Sequence, residues 1–199
     1  MSVPITLNPK YHPLKQPYSF WFMKRQGQRS QENYEKSIKQ IGTFGTVEDF
    51  WAYYNHLLRP NDLPYACDYH LFRDGVKPMW EDDENKQGGK FIVRITRGKR
   101  TSSRFWEDIL LAVVGGQFDV PDDEICGVVI STRYQKDILS LWNKHAESIE
   151  EKKKIHDTIK RVLNLPQHVV LEYKHHDQSI KDNSSFRNTE KAQPWTEQN

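Results

Sequence analysis

Pro78-Met79-Trp80-Glu81-Asp82-Asp83 sets a large aromatic plane beside a carboxylate, and Lys86, Gly88, Gly89 and Lys90 follow within a few residues. A Trp face attracts cations through its quadrupole. A carboxylate accepts paired N–H donors at the edge of a stacked ring, and Lys90 adds a cation for negative charge further along. The combination suits a flat, positively charged ligand that donates hydrogen bonds and carries phosphates. Taken alone, the same residues fit a surface loop with one half-buried Trp and a solvated acidic run even better. The rest of the chain decides between the two.

Other chemistries find little support. Gly88-Gly89-Lys90 lacks the upstream Gly and the following Ser or Thr of a phosphate-cradling loop, and no Gly-x-Gly-x-x-Gly occurs. Of eight His, only His175-His176-Asp177 cluster, in a polar stretch without a second ligand group, so solvated side chains are expected there rather than a metal. Neither Cys67 nor Cys126 has a nearby His with a third orienting group, and nothing resembles a nucleophile elbow. The chain therefore reads as a binding protein with no catalytic residue, metal or cofactor.

At 199 residues the chain is long enough for one domain with a sizeable core. Aromatics make up 12% of it, six of them Trp, while the mean hydropathy is −0.84. Apolar content is thus concentrated in a few large side chains. A net charge of +2 is too small to coat nucleic acid by bulk electrostatics, so any such binding is local. Two Cys without a pairing pattern indicate free thiols in a reducing compartment. The start, MSVPITLNPK, has no signal-peptide core, and no run approaches a membrane span. These features predict a soluble, intracellular, single-domain protein, with a cytoplasmic or nuclear location and a monomer as the expectation.

Several elements must position the candidate residues. Residues 1–14 read as a flexible arm with Pro at 4, 9 and 13. Tyr18–Phe22, Ile38–Thr43, Tyr69–Phe72, Lys90–Arg97, Cys126–Thr132, Ile138–Trp142 and Val169–Tyr173 have strand character, and Gly27–Lys36 is a polar loop holding Tyr34. Helical spacing runs through Val47, Phe50, Trp51, Tyr54 and Leu58 after a Thr46 cap, and again from Ser102 to Val114. A third helix follows the capping box Ser148-x-x-Glu151. From Lys174 to Asn199 almost nothing can be buried, which predicts a loosely ordered tail after a domain of residues 15–173. Strands outnumber helices without alternating one for one. The pattern is α+β, a mainly antiparallel sheet with helices packed on one face.

The order and spacing of His12-Pro13-Leu14, Trp21, Thr46-Val47-Glu48-Asp49-Phe50-Trp51, Leu71-Phe72-Arg73-Asp74-Gly75-Val76, Pro78-Met79-Trp80-Glu81-Asp82, Phe105-Trp106, Cys126-Gly127-Val128-Val129, Trp142 and Leu163-Asn164-Leu165-Pro166 resemble the translation initiation factor 4E family. Its members bind the 7-methylguanosine cap of mRNA. The likeness covers roughly residues 12–173 and is nearest to the 4E homologous protein class, or class II. Tyr34 stands where the general factor has a stacking Trp, Ile138 where it has a phosphate-contacting Lys, and Glu107 where it has a partner-contacting Leu.

The resemblance implies a curved antiparallel sheet backed on its convex face by three helices, with a cap-binding slot on the concave side. It implies that Tyr34 and Trp80 sandwich the base, Glu81 accepts from its edge, Trp142 touches the methyl group, and Arg133 and Lys90 take phosphates. N7 methylation makes the base cationic, so stacking gains a cation–π contribution and the Glu81 hydrogen bonds become charge-assisted. His12, Pro13, Leu14, Val47, Trp51, Glu107 and Leu111 are implied to receive a helical Tyr-x-x-x-x-Leu peptide of a scaffold or repressor. The implied role is control of translation, regulatory or repressive, with the general initiation factor as the alternative. A decapping hydrolase would need a metal-binding cluster or nucleophile that the sequence does not display. Trp21, Phe50, Phe105 and Trp106 are expected in the core.

Overall fold

The computed structural model describes residues 10–25, 31–96, 100–166 and 169–192. Eight strands, β1 (Pro13–Lys24), β2 (Ile38–Thr46), β3 (Cys67–Arg73), β4 (Gly89–Thr96), β5 (Ile125–Ser131), β6 (Lys136–Asn143), β7 (Glu172–His175) and β8 (Glu190–Lys191), form one curved sheet. Their order is β2-β1-β3-β5-β6-β4-β7-β8, and every pairing is antiparallel. Register shifts at Phe20/Trp21 and Ile125/Gly127 are the bulges that bend such strands.

Alternation along the strands divides the residues between two faces. Phe20, Tyr69, Leu71, Phe91, Val93, Val128, Ile130, Leu139 and Leu141 join the main core. Helices α2 (Val47–Tyr54), α3 (Thr101–Val114) and α4 (Ile149–Val162) cover that face through Phe50, Tyr54, Phe105, Trp106, Ile109, Leu110, Ile155 and Ile159. The helical spacing in the sequence marks these same residues. Thr46 caps α2 by accepting the Asp49 N–H at 3.1 Å. Ser148 precedes α4, but its side chain makes no capping bond.

Three differences from the sequence expectations matter for the site. Residues 31–37 form a short helix, α1 (Gln31–Ser37), where the polar composition predicts loop. Trp21 alternates away from Phe20 and lies half-buried beside Ile38, Pro78 and Met79 rather than in the main core. The segment after Lys174 is ordered through Ala192, with α5 (His176–Lys181) followed by β8. Lys174, His176 and Ser179 are fully buried there. Lys174 Nζ donates to Asp182 at 2.5 Å and to the carbonyls of Ser184 and Arg187 at 3.2 and 2.5 Å. Hydrogen bonds from Lys174 to one carboxylate and two backbone carbonyls hold this stretch, which apolar content alone does not predict. Of the expected arm, residues 1–9 lie outside the described residues. Residues 10–12 lead into β1.

Candidate ligand slot on the concave face

The second face of the sheet carries a different set of side chains. Asp68, His70 and Phe72 come from β3, Val129 and Ser131 from β5, and Ile138, Ser140 and Trp142 from β6. All of these except Phe72 line a cleft whose walls include Arg25, Tyr34, Trp80, Arg133, Ser185 and Phe186. Phe72, Val76, Cys126, Val129 and Trp142 form a small second core beneath it, with Trp80 packed on top. Trp142 is 3% exposed, meets Phe72 edge-on at 5.2 Å, and donates from Nε1 to Ser140 Oγ at 3.3 Å. The large Trp142 ring is therefore core, with part of it reaching the slot.

Two segments bring the aromatic walls in. Tyr34 sits on α1, and its hydroxyl donates to the Pro78 carbonyl at 2.9 Å, tying the helix to the Trp80 loop. Within that loop, fully buried Asn85 donates from Nδ2 to the carbonyls of Lys77 and Met79, both at 2.8 Å. Asp82 accepts from the backbone N–H of Lys77 and Glu84. The acidic run is thus partly a loop staple rather than a solvated face. Trp80 is half-buried and Glu81 exposed beside it.

Arg133 is anchored by Asp68. Nη1 and Nη2 donate to its two carboxylate oxygens at 2.6 and 3.3 Å, while the Arg133 N–H donates to Asp137 at 3.1 Å. Arg25 Nε donates to the same carboxylate at 3.0 Å. One buried anion therefore holds two guanidiniums in the slot. Burial raises the Asp68 pKa, but Arg25 and Arg133 outweigh it and hold the carboxyl below its ordinary value. His70, fully buried next to it, is pushed down to about 4, chiefly by burial and despite the nearby Asp68 charge. Neither of its ring nitrogens has a hydrogen-bond partner among the described residues.

Lys90 differs from its expected place. It is fully buried and not among the residues lining the slot. Its ammonium lies 5.0 Å from the Trp80 ring centre and 5.3 Å from that of Trp142, and it donates to Ser185 Oγ at 3.0 Å. Gly88 and Gly89 are small for packing reasons, since a Cβ at either would collide with Asn143 or Tyr173. His176, expected among solvated side chains, is buried with its ring 4.2 Å from Trp142, and its pKa is driven well down by burial. Among the described residues no group of three His, Cys, Asp or Glu could hold a metal ion.

Sequence reasoning missed Arg25, His70, Ser185 and Phe186. Arg25 follows the β1 strand, whose Met23 pairs with Asp68, so only the strand register brings it to the Asp68 carboxylate. Ser185 and Phe186 arrive with the folded C-terminal segment. The remaining predicted residues group on the helical side. The His12 carbonyl accepts from Val47 N–H at 2.9 Å, and its imidazole meets Glu48 at 2.6 Å. This fixes His12-Pro13-Leu14 at the start of α2. Val47 is exposed, and Leu14, Trp51 and Leu111 are partly buried on the core's rim. Trp51 packs edge-on against Phe50 and Tyr54. Glu107 pairs with Arg59 at 3.4 Å, and that guanidinium stacks on Tyr54 at 4.1 Å.

A curved sheet with three helices on one face and an aromatic slot with two arginines on the other belongs to a class of cleft suited to a flat ring with an anionic tail. The eukaryotic initiation factor 4E family model matches residues 13–191. The rice translation initiation factor NCBP is 48% identical over 179 residues, covering 90% of this chain and 78% of the rice protein. Initiation factor 4E-4 of Caenorhabditis elegans is 44% identical, with 90% and 84% covered. The human initiation factor 4E is 36% identical, with 91% and 85% covered. Among solved structures, C. elegans eIF4E-3 in complex with the 4E-binding protein Mextli and a cap analog superposes with a TM-score of 0.81 at 34% identity, covering 90% of this chain and 99% of that one. Ascaris suum eIF4E-3 with the m7G cap gives 0.78 at 34% identity, with 83% and 92% covered. The chain belongs to the eukaryotic initiation factor 4E family.

Proposed function

We propose that this protein binds the 7-methylguanosine cap of mRNA in the concave slot and thereby controls translation, as a class II member of its family. The observation that carries this reading is the convergence of Tyr34, Trp80, Arg133 and Trp142 on one cleft from four separate segments. Related proteins with the same fold bind cap analogs, as their complexes state. In our reading Tyr34 and Trp80 stack on the methylated base, and Glu81, standing exposed next to Trp80, accepts from the two donors on its edge. Arg133 and Arg25 receive the phosphates, with Arg25 supplying part of the charge missing at Ile138. Lys90, seated between two indoles, stabilises the Trp80 loop and acts on the phosphates through its field rather than by contact.

The helical side supplies the second half of the function. His12, Pro13, Leu14, Val47, Trp51 and Leu111 offer an apolar rim for a helical Tyr-x-x-x-x-Leu segment, and relatives form complexes with a 4E-binding protein. Glu107 is already paired with Arg59, so it presents a partly compensated charge. A partner helix that brings its own cation meets Glu107 at less cost than an apolar one. That favours a regulatory partner over the general initiation scaffold.

Capture on immobilised 7-methyl-GTP tests the proposal. Retention with elution by free 7-methyl-GTP, and not by GTP, is expected. Passage through the column without retention would contradict it. Capped RNA recovered intact after incubation would dispose of the hydrolase alternative.

A further inference from the structure

Tyr134 is 78% exposed, the highest value among the large hydrophobic side chains of the described residues, and Tyr65 is 52% exposed. Their rings lie 5.4 Å apart, tilted by 52°. A solvent-facing aromatic pair of this kind adds nothing to the core, yet its backbone is firmly held. Arg25 N–H donates to the Ala66 carbonyl at 2.8 Å, Ala66 N–H to the Thr132 carbonyl at 3.0 Å, and Thr132 Oγ1 to the Pro64 carbonyl at 2.7 Å. Asp137 closes the loop by accepting from Arg133 N–H. Tyr65 and Tyr134 thus flank the segments that carry Arg25 and Arg133 at one end of the sheet.

We propose that Tyr65 and Tyr134 form a stacking platform for the base of the nucleotide that follows the cap, so that the protein grips the first transcribed nucleotide of the mRNA as well as the cap. The proposal rests on the cap-binding reading and on continuity with that site. Arg133 directly precedes Tyr134 in the chain and Arg25 is hydrogen-bonded to Ala66 next to Tyr65, so a triphosphate on the two arginines would have both tyrosine-bearing segments as neighbours. Single-stranded RNA is recognised by unstacked bases laid on aromatic faces, with cations tracking the backbone. Both parts are present here on neighbouring segments. Stacking of this kind tolerates any base, so it adds affinity without sequence choice.

The test compares dissociation constants for 7-methyl-GTP and for a short capped oligoribonucleotide, with an abasic first nucleotide as a third ligand. The wild type is expected to bind the capped oligonucleotide roughly five- to a hundredfold more tightly than 7-methyl-GTP, the range of one base–aromatic stack. Tyr134→Ala is expected to erase that gain while leaving the 7-methyl-GTP value unchanged, which also shows that the variant is folded. Tyr134→Phe retains the gain, and the abasic ligand lacks it. A gain that survives both Tyr134→Ala and Tyr65→Ala, or a wild type with no gain, overturns the proposal and leaves the pair to a protein contact. Failure of the wild type to bind 7-methyl-GTP at all would instead sink the cap-binding reading, and this inference with it.

Discussion

Replacing Asp68 with Asn removes a buried charge that holds both slot arginines. The Asp68 side chain is 1% exposed and contacts Arg133 at 2.6 Å and Arg25 at 3.0 Å, with the two guanidiniums 19% and 29% exposed. Solvent screening is weak for the carboxylate and modest for the guanidiniums. Breaking a buried pair by removing one partner costs about 3–5 kcal/mol, because the remaining charge stays uncompensated. Asn keeps the shape and one acceptor, so the lower half of that range, about 3 kcal/mol, is expected. At roughly 2–4 °C per kcal/mol for a domain of this size, the melting temperature should fall by about 6–12 °C. Urea unfolding of wild type and Asp68→Asn measures the loss directly, with an unchanged m-value showing that the two states compared are the same. Inorganic phosphate should restore the variant more than the wild type, since an added anion takes the place of the lost one. A loss below about 1 kcal/mol, with no phosphate response, would refute the picture of two arginines held by one buried anion.

Ile138→Lys adds a cation to the slot floor, and a charge-assisted contact of about 1.5–3 kcal/mol should tighten 7-methyl-GTP binding about tenfold or more, with a steeper salt dependence in fluorescence titration. Trp51→Ala should abolish capture of a Tyr-x-x-x-x-Leu peptide and leave 7-methyl-GTP binding intact, because the residue packs on the helical side of the sheet; loss of both would make Trp51 a core residue only. Acid should destabilise the fold between pH 6.5 and about 4, since His70 is neutral when folded over that window while the unfolded chain binds the proton. The slope is at most about 1.4 kcal/mol per pH unit for one group. Buried His176 acts in the same direction, and His70→Gln should flatten the pH dependence of urea unfolding without abolishing it.

The three long helices and most strands were legible because their apolar residues recur at the period that buries one face. Phe50 and Tyr54 are an example, whereas the strand from Cys126 to Thr132 is legible as a near-continuous apolar run that is buried on both faces. Trp80 and Glu81 stand out only through their place in the family pattern, because the loop taken alone fits a half-buried Trp and a solvated acidic run better. What stayed hidden depended on long-range pairing. Arg25 reaches the slot only through the β1–β3 register, and Trp21 faces away from the main core because strand alternation opposes it to Phe20. Lys90 illustrates the limit of reading charge from composition. A cation at a strand start is usually solvated, whereas this one is enclosed by two indoles and a serine hydroxyl. The elements of the C-terminal segment through Ala192 are hidden from composition for a related reason. Composition counts apolar side chains, but Lys174 organises the turn around it through hydrogen bonds to Asp182, Ser184 and Arg187.

Tryptophan-fluorescence titration with 7-methyl-GTP and with GTP at matched salt tests the central claim most directly, because Trp80 and Trp142 both line the slot. The two ligands differ by one methyl group and the positive charge it places on the base. Desolvated cation–π stacking is worth about 2 kcal/mol, so the methylated nucleotide should bind at least tenfold more tightly. Trp80→Ala should remove most of that preference. Equal dissociation constants for the two nucleotides in the wild type would contradict the account, since the slot would then recognise phosphate alone.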